Sequence, residues 1–324
     1  MKAIMVTVHG DADVLKLTDT APVPKPGAGE ALVKIHAAGV NFVDIYQRRG
    51  TYPLKLPFIP GLEAAGVVEA IGEKVSGFQA GDRVAYTGHA GSYSEYTTIA
   101  VSKLIPLPES LSFTEGAAFP LQGMTAHYLL HEFRRVKSGD TVLVHAAAGG
   151  VGGLLVQWAK HLGAVVIGTA GTEEKAASAR EAGADHVIIY SRQDFVAETK
   201  RLTNGRGADL IIDGVGKSTF TADLEAVAAH GHVVIFGASS GPADPVVPNS
   251  LMAKSISLSG GSLGNFVATG EELRRRSGDV LNAIREGWLK LRIDRVLLLA
   301  EADKAHRLLE GRQTMGKVVL KVAD

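Results

Sequence analysis

The sequence predicts an α/β protein that combines a doubly wound parallel sheet with a second, mainly β domain. The chain has 324 residues, more than one core usually organises, so two domains are favoured over one. Short β-rich segments fill the chain up to Gly123, after which apolar segments alternate with helical ones. Such alternation is typical of parallel strands joined by helical crossovers.

Composition excludes several classes of protein. Lys and Arg together number 34, as do Asp and Glu, so neither nucleic acid nor an acidic membrane surface is expected as the main partner. The absence of cysteine excludes a disulfide framework, a thiol nucleophile and a zinc site with sulfur ligands. The first residues carry no export signal, so a cytoplasmic location is expected. The apolar stretch 142–159 is interrupted by glycines and fits a strand-to-helix turn better than a membrane span.

The first part of the chain contains five segments with β character, separated by Gly- and Pro-rich clusters at 22–29 and 52–61. The segments read AIMVT, ALVKIHAAGV, AAGVVEAIG, DRVAY and EYTTIA. This pattern predicts a small, irregular, mainly β domain.

The second part predicts six strands and four intervening helices. The strands are expected at 141–146, 165–169, 186–189, 209–213, 232–236 and 255–259, and the helices at 151–162, 173–182, 193–202 and 218–229. From about residue 265 the pattern predicts a helix, a strand at 295–299, a helix at 302–310 and a closing strand at 317–322.

The first predicted turn of this series carries a dinucleotide fingerprint. In TVLVHAAAGGVGG, the three fingerprint positions are Ala147, Gly149 and Gly152, with Gly150 and Val151 between the last two. Gly149 lets the backbone approach a pyrophosphate, and Gly152 lets the helix pack closely on the strand. The helix N-terminus supplies N–H donors. A Rossmann domain that binds a dinucleotide is therefore predicted.

The next predicted strand indicates which dinucleotide is bound. An NAD enzyme usually has a carboxylate at its end for the ribose 2′-hydroxyl, but this strand ends in Thr169 and Ala170. Lys175 follows shortly, and a cation suits the 2′-phosphate of NADPH. NADPH is therefore the expected cofactor.

These motifs together resemble the zinc-free quinone oxidoreductase family, which includes ζ-crystallin, of the medium-chain dehydrogenase/reductase superfamily. The resemblance spans nearly the whole chain through GVNFVDIYQRRGTYP, PGLEAAGVVEAIG, AGDRVAY, HAAAGGVG and TMGKVVL. It implies a GroES-like catalytic domain at 1–122, completed by 266–324, and an inserted Rossmann domain at 123–265, with the cofactor in the cleft between them.

The resemblance also implies cofactor contacts beyond the glycine turn. Those expected around the 2′-phosphate are Gly171, Lys175, Tyr190 and Arg312. Those expected near the nicotinamide or where the last sheet strand ends are Thr125, Phe236, Gly237, Ser239, Ser262 and Leu263. A homodimer paired through the strand at 255–259, whose polar and apolar residues alternate, is expected as well.

Two positions bear on metal binding. Zinc-dependent alcohol dehydrogenases of the superfamily carry a ligand cysteine and a ligand histidine where this chain has Asn41 and Leu62, neither of which replaces those ligands. No metal is therefore expected. Asn41 and Tyr46 are the candidate catalytic residues, as neutral donors to an acceptor oxygen that gains charge, whereas Asp44 is expected to order the turn.

The resulting hypothesis is an NADPH-dependent, metal-free quinone oxidoreductase that acts on a small-molecule acceptor. Two alternatives stay open: reduction of the carbon–carbon double bond of an alkenal or enone, and a non-catalytic NADPH-binding protein of the crystallin kind. The sequence does not separate quinones from enones, or one-electron from two-electron reduction.

Overall fold

The computed structural model describes residues 1–323, and these form two compact units. The first unit comprises Met1–Leu121, Val267–Gly278 and the segment from Leu291 onwards. The second comprises Gln122–Phe266 and Asp279–Lys290. Within residues 1–323, no helix combines the length and the apolar character that a membrane span requires.

The first unit is built around a seven-stranded sheet. The N-terminal elements of this unit are β1 (Ala3–Met5), β2 (Lys16–Thr18), β3 (Glu30–Val40), α1 (Phe42–Arg49), β4 (Glu63–Ile71), β5 (Arg83–Thr87), β6 (Tyr96–Ala100), β7 (Ile105–Pro106), α2 (Phe113–Gly116) and the start of α3 (Pro120–His131). The long β3 pairs antiparallel with β4 and with β6, and the strands β5 and β7 follow beyond β4. The predicted mainly β character of this part is confirmed.

The second unit contains a six-stranded parallel sheet in the order β10-β9-β8-β11-β12-β13. Its elements are β8 (Thr141–Val144), α4 (Gly150–His161), β9 (Val165–Ala170), α5 (Glu173–Glu181), β10 (His186–Ile189), α6 (Phe195–Leu202), β11 (Ala208–Asp213), α7 (Phe220–Ala226), β12 (Val227–Ile235), β13 (Ser257–Gly260) and α8 (Leu263–Phe266). All neighbouring strands run parallel, which confirms the predicted doubly wound sheet. From the central β8, the strands β9 and β10 are added on one side of the sheet. The chain then crosses to the other side of β8, where it adds β11, β12 and β13.

The C-terminal elements return the chain to the first unit. They are α9 (Gly270–Arg285), β14 (Ile293–Leu298), a short 3-10 helix (Leu299–Glu301), α10 (Ala302–Glu310) and β15 (Lys317–Lys321). Earlier parts of the chain contain further short 3-10 helices at Ala12–Val14, Val101–Lys103 and Pro248–Ala253. Strand β15 pairs antiparallel with β3, with Val318 opposite Val40, and parallel with β14. The closing strand thus joins the seven-stranded sheet that begins with β3, whereas β1 and β2 form a separate two-stranded sheet.

Several boundaries differ from the prediction, most of them by a few residues. The segment 279–290 was expected in the catalytic domain with the rest of 266–324, but it packs in the second unit, where Asp279 accepts from His127 at 2.9 Å. One amphipathic helix, α9, runs through this boundary without a local break. The helix expected at 218–229 ends at Ala226, because the residues that follow already pair with β11 as part of β12.

Candidate active site

The glycine turn connects β8 to α4 in the second unit. The N–H of Gly149 donates to the carbonyl of Ala146 at 2.8 Å, and that of Ala147 donates to Thr169 at 3.0 Å. Gly149 is the extended N-cap residue, and Gly150 and Val151 open the helix. A Cβ at Gly152 would collide with the carbonyl oxygen of Ala146, so only glycine allows this close approach. The first N–H groups of α4 lack intrahelical acceptors and can bind an anion.

A buried polar network supports this turn. His145, the residue after β8, contacts Thr169 Oγ1 through Nδ1 at 3.0 Å and Asp223 Oδ1 through Nε2 at 2.7 Å. Burial is the largest influence on the pKa of His145 and lowers it, but the charge and hydrogen bond of Asp223 together with the charge of Asp213 outweigh burial, so the pKa lies above its usual value. Burial raises the pKa of Asp223 to about 6. The sequence analysis missed His145 and Asp223, although a histidine ending the apolar run TVLV was a visible signal.

Two of the residues expected around the 2′-phosphate lie side by side after β9 and β10. A Cβ at Gly171 would lie 2.7 Å from the hydroxyl of Tyr190, whose side chain is 49% exposed. Lys175 lies in the first turn of α5, and its N–H donates to Thr172 Oγ1 at 3.3 Å. No carboxylate ends β9. Arg312, the fourth residue of this group, follows α10 in the first unit.

All but one of the other predicted cofactor residues follow the carboxyl ends of later strands of the sheet. Phe236 donates its N–H to Asp213 at 2.9 Å, so the loop after β12 lies against the end of β11. Gly237 and Ser239 continue this loop, and the N–H of Ser239 donates to Gly214 at 3.2 Å. Three further predicted residues are Ser262 and Leu263, which follow β13, and Thr125, which is buried on α3. Apart from Thr125 and Arg312, the predicted cofactor residues follow carboxyl ends of strands in one parallel sheet, the edge at which such sheets bind ligands.

In the first unit, the two predicted catalytic residues lie at the start of α1. Asn41 is its N-cap, and Asp44 Oδ2 accepts the Asn41 N–H at 2.8 Å, so Asp44 orders the turn as expected. Tyr46 lies half-buried on the same helix. Its ring centroid is 5.3 Å from that of Tyr52 and 6.2 Å from that of Phe42. These three rings form an aromatic cluster on one side of α1.

The side chain of Asn41 takes part in a buried cluster with Glu63 and Lys317. Asn41 Oδ1 accepts from Lys317 Nζ at 2.7 Å, and Asn41 Nδ2 donates to Glu63 Oε2 at 2.9 Å and to Gly39 O at 3.3 Å. Lys317 also pairs directly with Glu63. Asn41 was expected to offer a spare donor, but both hydrogens of its amide have acceptors within the protein. The sequence analysis did not identify Glu63 or Lys317 as site residues.

A second buried network holds the other face of α1. Arg48, which is fully buried, donates to both carboxylate oxygens of Glu310 at 2.7 and 3.1 Å and contacts His306 Nδ1 at 3.3 Å. His306 Nε2 contacts the hydroxyl of Tyr93 at 3.1 Å, and this hydroxyl donates to Asp44 Oδ2 at 3.1 Å. Burial lowers the pKa of His306 to about 3 and raises that of Asp44 to about 7. The helix that carries Tyr46 is therefore anchored by α10.

The arrangement around Asn41 differs from a metal site. Over residues 1–323, no three His, Asp or Glu side chains are grouped as metal ligands would be. The groups that face Asn41 are the ammonium of Lys317 and the carboxylate of Glu63. An ammonium in contact with the Asn41 oxygen would repel a second cation.

Comparison with known proteins identifies the class. The chain matches the family model for zinc-binding dehydrogenase over residues 150–277 and that for the alcohol dehydrogenase GroES-like domain over residues 27–109. The first match lies in the second unit as far as Phe266 and then continues into the first unit, and the second match lies in the first unit. A doubly wound sheet inserted into a GroES-like domain defines a medium-chain dehydrogenase/reductase.

Individual relatives narrow this class. The chain is 41% identical over 322 residues to a quinone oxidoreductase of Pseudomonas aeruginosa, covering 98% of this chain and 99% of the relative. It is 40% identical to a 2-haloacrylate reductase of a Burkholderia species, covering 92% of each. The crystal structure of Escherichia coli quinone oxidoreductase complexed with NADPH is 38% identical, with a TM-score of 0.96 over 99% of this chain and 100% of that one. The chain belongs to the quinone oxidoreductase, or ζ-crystallin-like, family of this superfamily.

Proposed function

We propose that the protein is an NADPH-dependent quinone oxidoreductase. The observation that carries this proposal is the edge of the parallel sheet, where the glycine turn and the group Gly171, Lys175 and Tyr190 follow neighbouring strands. The relatives support it, since one is a quinone oxidoreductase at 41% identity and another was solved with NADPH.

The cofactor residues divide the dinucleotide between them. The pyrophosphate lies over Gly149, Gly150 and Val151. The N–H groups of Gly150 and Val151 in the first turn of α4 donate to it, whereas that of Gly149 is bonded to Ala146 within the turn. The 2′-phosphate pairs with Lys175, while Tyr190 covers the adenosine beside Gly171. A carboxylate at the end of β9 would repel this phosphate, and β9 ends without one.

The nicotinamide end is assigned to a second set of residues. Thr125 on α3 and the loop 236–239 border it, and the strand exit at Ser262 and Leu263 closes the set. When bound, NADPH supplies the hydride that reduces the acceptor. These residues hold the ring in place, which converts an encounter between two molecules into an oriented reaction.

Tyr46 donates a hydrogen bond to the acceptor oxygen. Hydride arrival leaves negative charge on that oxygen, and a hydrogen bond to an oxyanion is stronger than one to a neutral carbonyl. Tyr46 is suited to this role because α1 is anchored through Asp44 and Arg48. The aromatic cluster of Phe42, Tyr46 and Tyr52 offers flat apolar rings against which a quinone can stack.

The reaction is proposed to proceed without a bound metal. Asn41 and Leu62 occupy the positions of two zinc ligands, and the Lys317 ammonium already neutralises Glu63. An electron-poor quinone accepts a hydride without a Lewis acid. Turnover should therefore persist after dialysis against a chelator, and elemental analysis should find no stoichiometric zinc. Zinc-dependent turnover would overturn this part of the proposal.

A second candidate function is the reduction of a carbon–carbon double bond beside a carbonyl or carboxylate group. The 2-haloacrylate reductase that is 40% identical favours it. Both reactions need the same hydride, and they differ in whether oxygen or carbon receives the following proton.

We further propose a homodimer in the cytoplasm. Strand β13 lies at the edge of the six-stranded sheet, where its backbone groups are available to a symmetry mate. The segment before it exposes Val247 and Met252. Light scattering at micromolar concentration tests the dimer, and a monomer there would contradict it.

A panel of acceptors tests the function. Oxidation of NADPH is followed with quinones of graded reduction potential, with enones and with 2-haloacrylates. The highest kcat/KM is expected for quinones, whereas selective turnover of enones or haloacrylates would establish the second candidate. NADPH binding without turnover of any acceptor would overturn both activities.

A further inference from the structure

The buried cluster of Glu63, Lys317 and Asn41 joins a group that only donates hydrogen bonds to one that only accepts them. An ammonium has three donors and no acceptor, and an ionised carboxylate has acceptors only. Asn41 lies between the two, so its amide has a single satisfactory orientation. Oδ1 must face Lys317, and Nδ2 must face Glu63, as the distances of 2.7 and 2.9 Å show.

The cluster is closely enclosed by four elements. Glu63 opens β4 and Lys317 opens β15, while Glu63 Oε1 accepts the N–H of Leu121 in the first turn of α3 at 2.6 Å. A Cβ on Gly39 of β3 would lie 2.8 Å from Lys317 Cε and would collide with Ala117 O. Glu63 and Lys317 are at most 2% exposed. Neither side chain has room to take up another arrangement.

A gain in folding stability is a poor explanation for the burial of this ion pair. Removing two charges from water costs about as much as their attraction returns, so buried ion pairs contribute little net stability. What the pair does provide is a fixed direction for the amide between its members.

The three bonds of the Asn41 amide are unequal. Those to Lys317 and Glu63 are short, whereas the second Nδ2 hydrogen reaches Gly39 O at 3.3 Å, the long limit of a useful hydrogen bond. This hydrogen is the one that an incoming oxygen can take over at the least cost.

We propose that Glu63 and Lys317 are positioning residues that orient the Asn41 amide, so that its second Nδ2 hydrogen is directed to the acceptor oxygen beside the donor Tyr46. This inference rests on the proposed function. The ion pair acts through Asn41 and does not itself touch the acceptor. It gives Asn41 the role of a donor, although the amide is hydrogen-bonded within the protein when no acceptor is bound.

Kinetics of matched variants test the inference. Lys317→Met leaves Glu63 buried and unpaired, so the neutral double variant Glu63→Gln/Lys317→Met is measured beside it. Lys321→Met, which replaces an exposed lysine of the same strand, is the matched control. We expect kcat/KM for weakly oxidising quinones to fall about tenfold or more in the double variant, the scale of losing one oxyanion donor. NADPH affinity should be unchanged, and Lys321→Met should leave kcat/KM unchanged.

A double-mutant cycle distinguishes positioning from structure. If Lys317 acts through Asn41, adding Lys317→Met to Asn41→Ala should not lower kcat/KM further, although it lowers thermal stability. Additive kinetic losses would show that Lys317 acts independently of Asn41. A double variant Glu63→Gln/Lys317→Met with wild-type kinetics and only a lower melting temperature would show a structural role. Either result overturns the inference.

A readout independent of activity separates this inference from the proposed function. The side-chain ¹H–¹⁵N resonances of Asn41 are identified by their loss in Asn41→Ala. In the wild type we expect slow exchange with solvent, and in Glu63→Gln/Lys317→Met we expect a shifted pair that exchanges faster. Unchanged resonances would refute the positioning role even if quinones are reduced. Altered resonances in a protein that reduces no acceptor would refute only the function.

Discussion

Replacing Lys175 with alanine should remove most of the preference for NADPH over NADH. Lys175 lies half-buried in the first turn of α5, behind a strand that ends without a carboxylate. It can form one charge-assisted bond to the 2′-phosphate, and bonds to charged groups are worth about 1.5–3 kcal/mol. The neighbouring Glu173 and Glu174 and partial solvent screening favour the lower half of this range. We therefore expect NADPH affinity to fall about 10- to 30-fold, since about 1.4 kcal/mol is a factor of ten.

Titration of both nucleotides provides the assay. NADH lacks the 2′-phosphate, so its affinity for Lys175→Ala should stay within about twofold of its affinity for the wild type. This change is much smaller than the tenfold that corresponds to about 1.4 kcal/mol. Lys200→Ala is the matched control, because it removes an exposed lysine of α6 in the same unit. The difference between wild type and Lys175→Ala should shrink as salt is added, since a partly exposed ion pair is screened. Equal losses for the two nucleotides, or no loss for NADPH, would refute the assignment of Lys175.

The remaining predictions concern α1 and its anchors. Tyr46→Phe should lower kcat/KM for weak quinones by about 10- to 1000-fold with NADPH affinity intact, because an oxyanion donor is lost; equal rates with every acceptor would contradict this role. Arg48→Met should lower the free energy of unfolding by about 3 kcal/mol. This is the low end for breaking a buried ion pair, because Arg49 still pairs with Glu310. Urea unfolding measures the loss, and a value below about 1 kcal/mol would be inconsistent with a buried pair. The pKa of Asp44 is about 7 in the folded protein and 3.8 in the unfolded chain. Its contribution to stability is therefore full below pH 3.8 and is lost as the pH rises to 7, by about 1.4 kcal/mol per pH unit. Asp44→Asn should lack this slope in urea unfolding between pH 4 and 7, and an unchanged slope would rule out the titration of Asp44.

Local patterns were sufficient to predict the sheet of the second unit. Most strands there are short apolar runs that alternate with helical segments, so the signal for an element lies largely within the element itself. His186–Ile189 and Ala302–Glu310 have the predicted bounds. The start of β12 was missed because Val227 and Ala228 fit either a helix end or a strand. Only pairing with β11 decides between them.

The buried networks could not be predicted in the same way. Lys317 and Asn41 are 276 residues apart, and His306 and Tyr93 are 213 apart. A lysine that opens a strand is usually at the surface, so nothing near Lys317 indicates that it is buried. The internal hydrogen bonds of the Asn41 amide were not predicted for the same reason, since its charged partners come from distant segments. The predicted glycine turn was easier to recognise because its spacing is contained in one loop.

The position of β15 has a consequence for how a newly synthesised chain acquires its structure. Strand β3 needs β15 on one side, and Glu63 needs Lys317 from the same strand. As the ribosome releases the chain from its N-terminus, β3 and Glu63 are made long before either partner. The parallel sheet of the second unit comes entirely from the contiguous residues 141–260, so it can be completed while the first sheet still has an open edge. An open edge is a site for aggregation, so β3 of the nascent chain stays vulnerable until β15 emerges to pair with it.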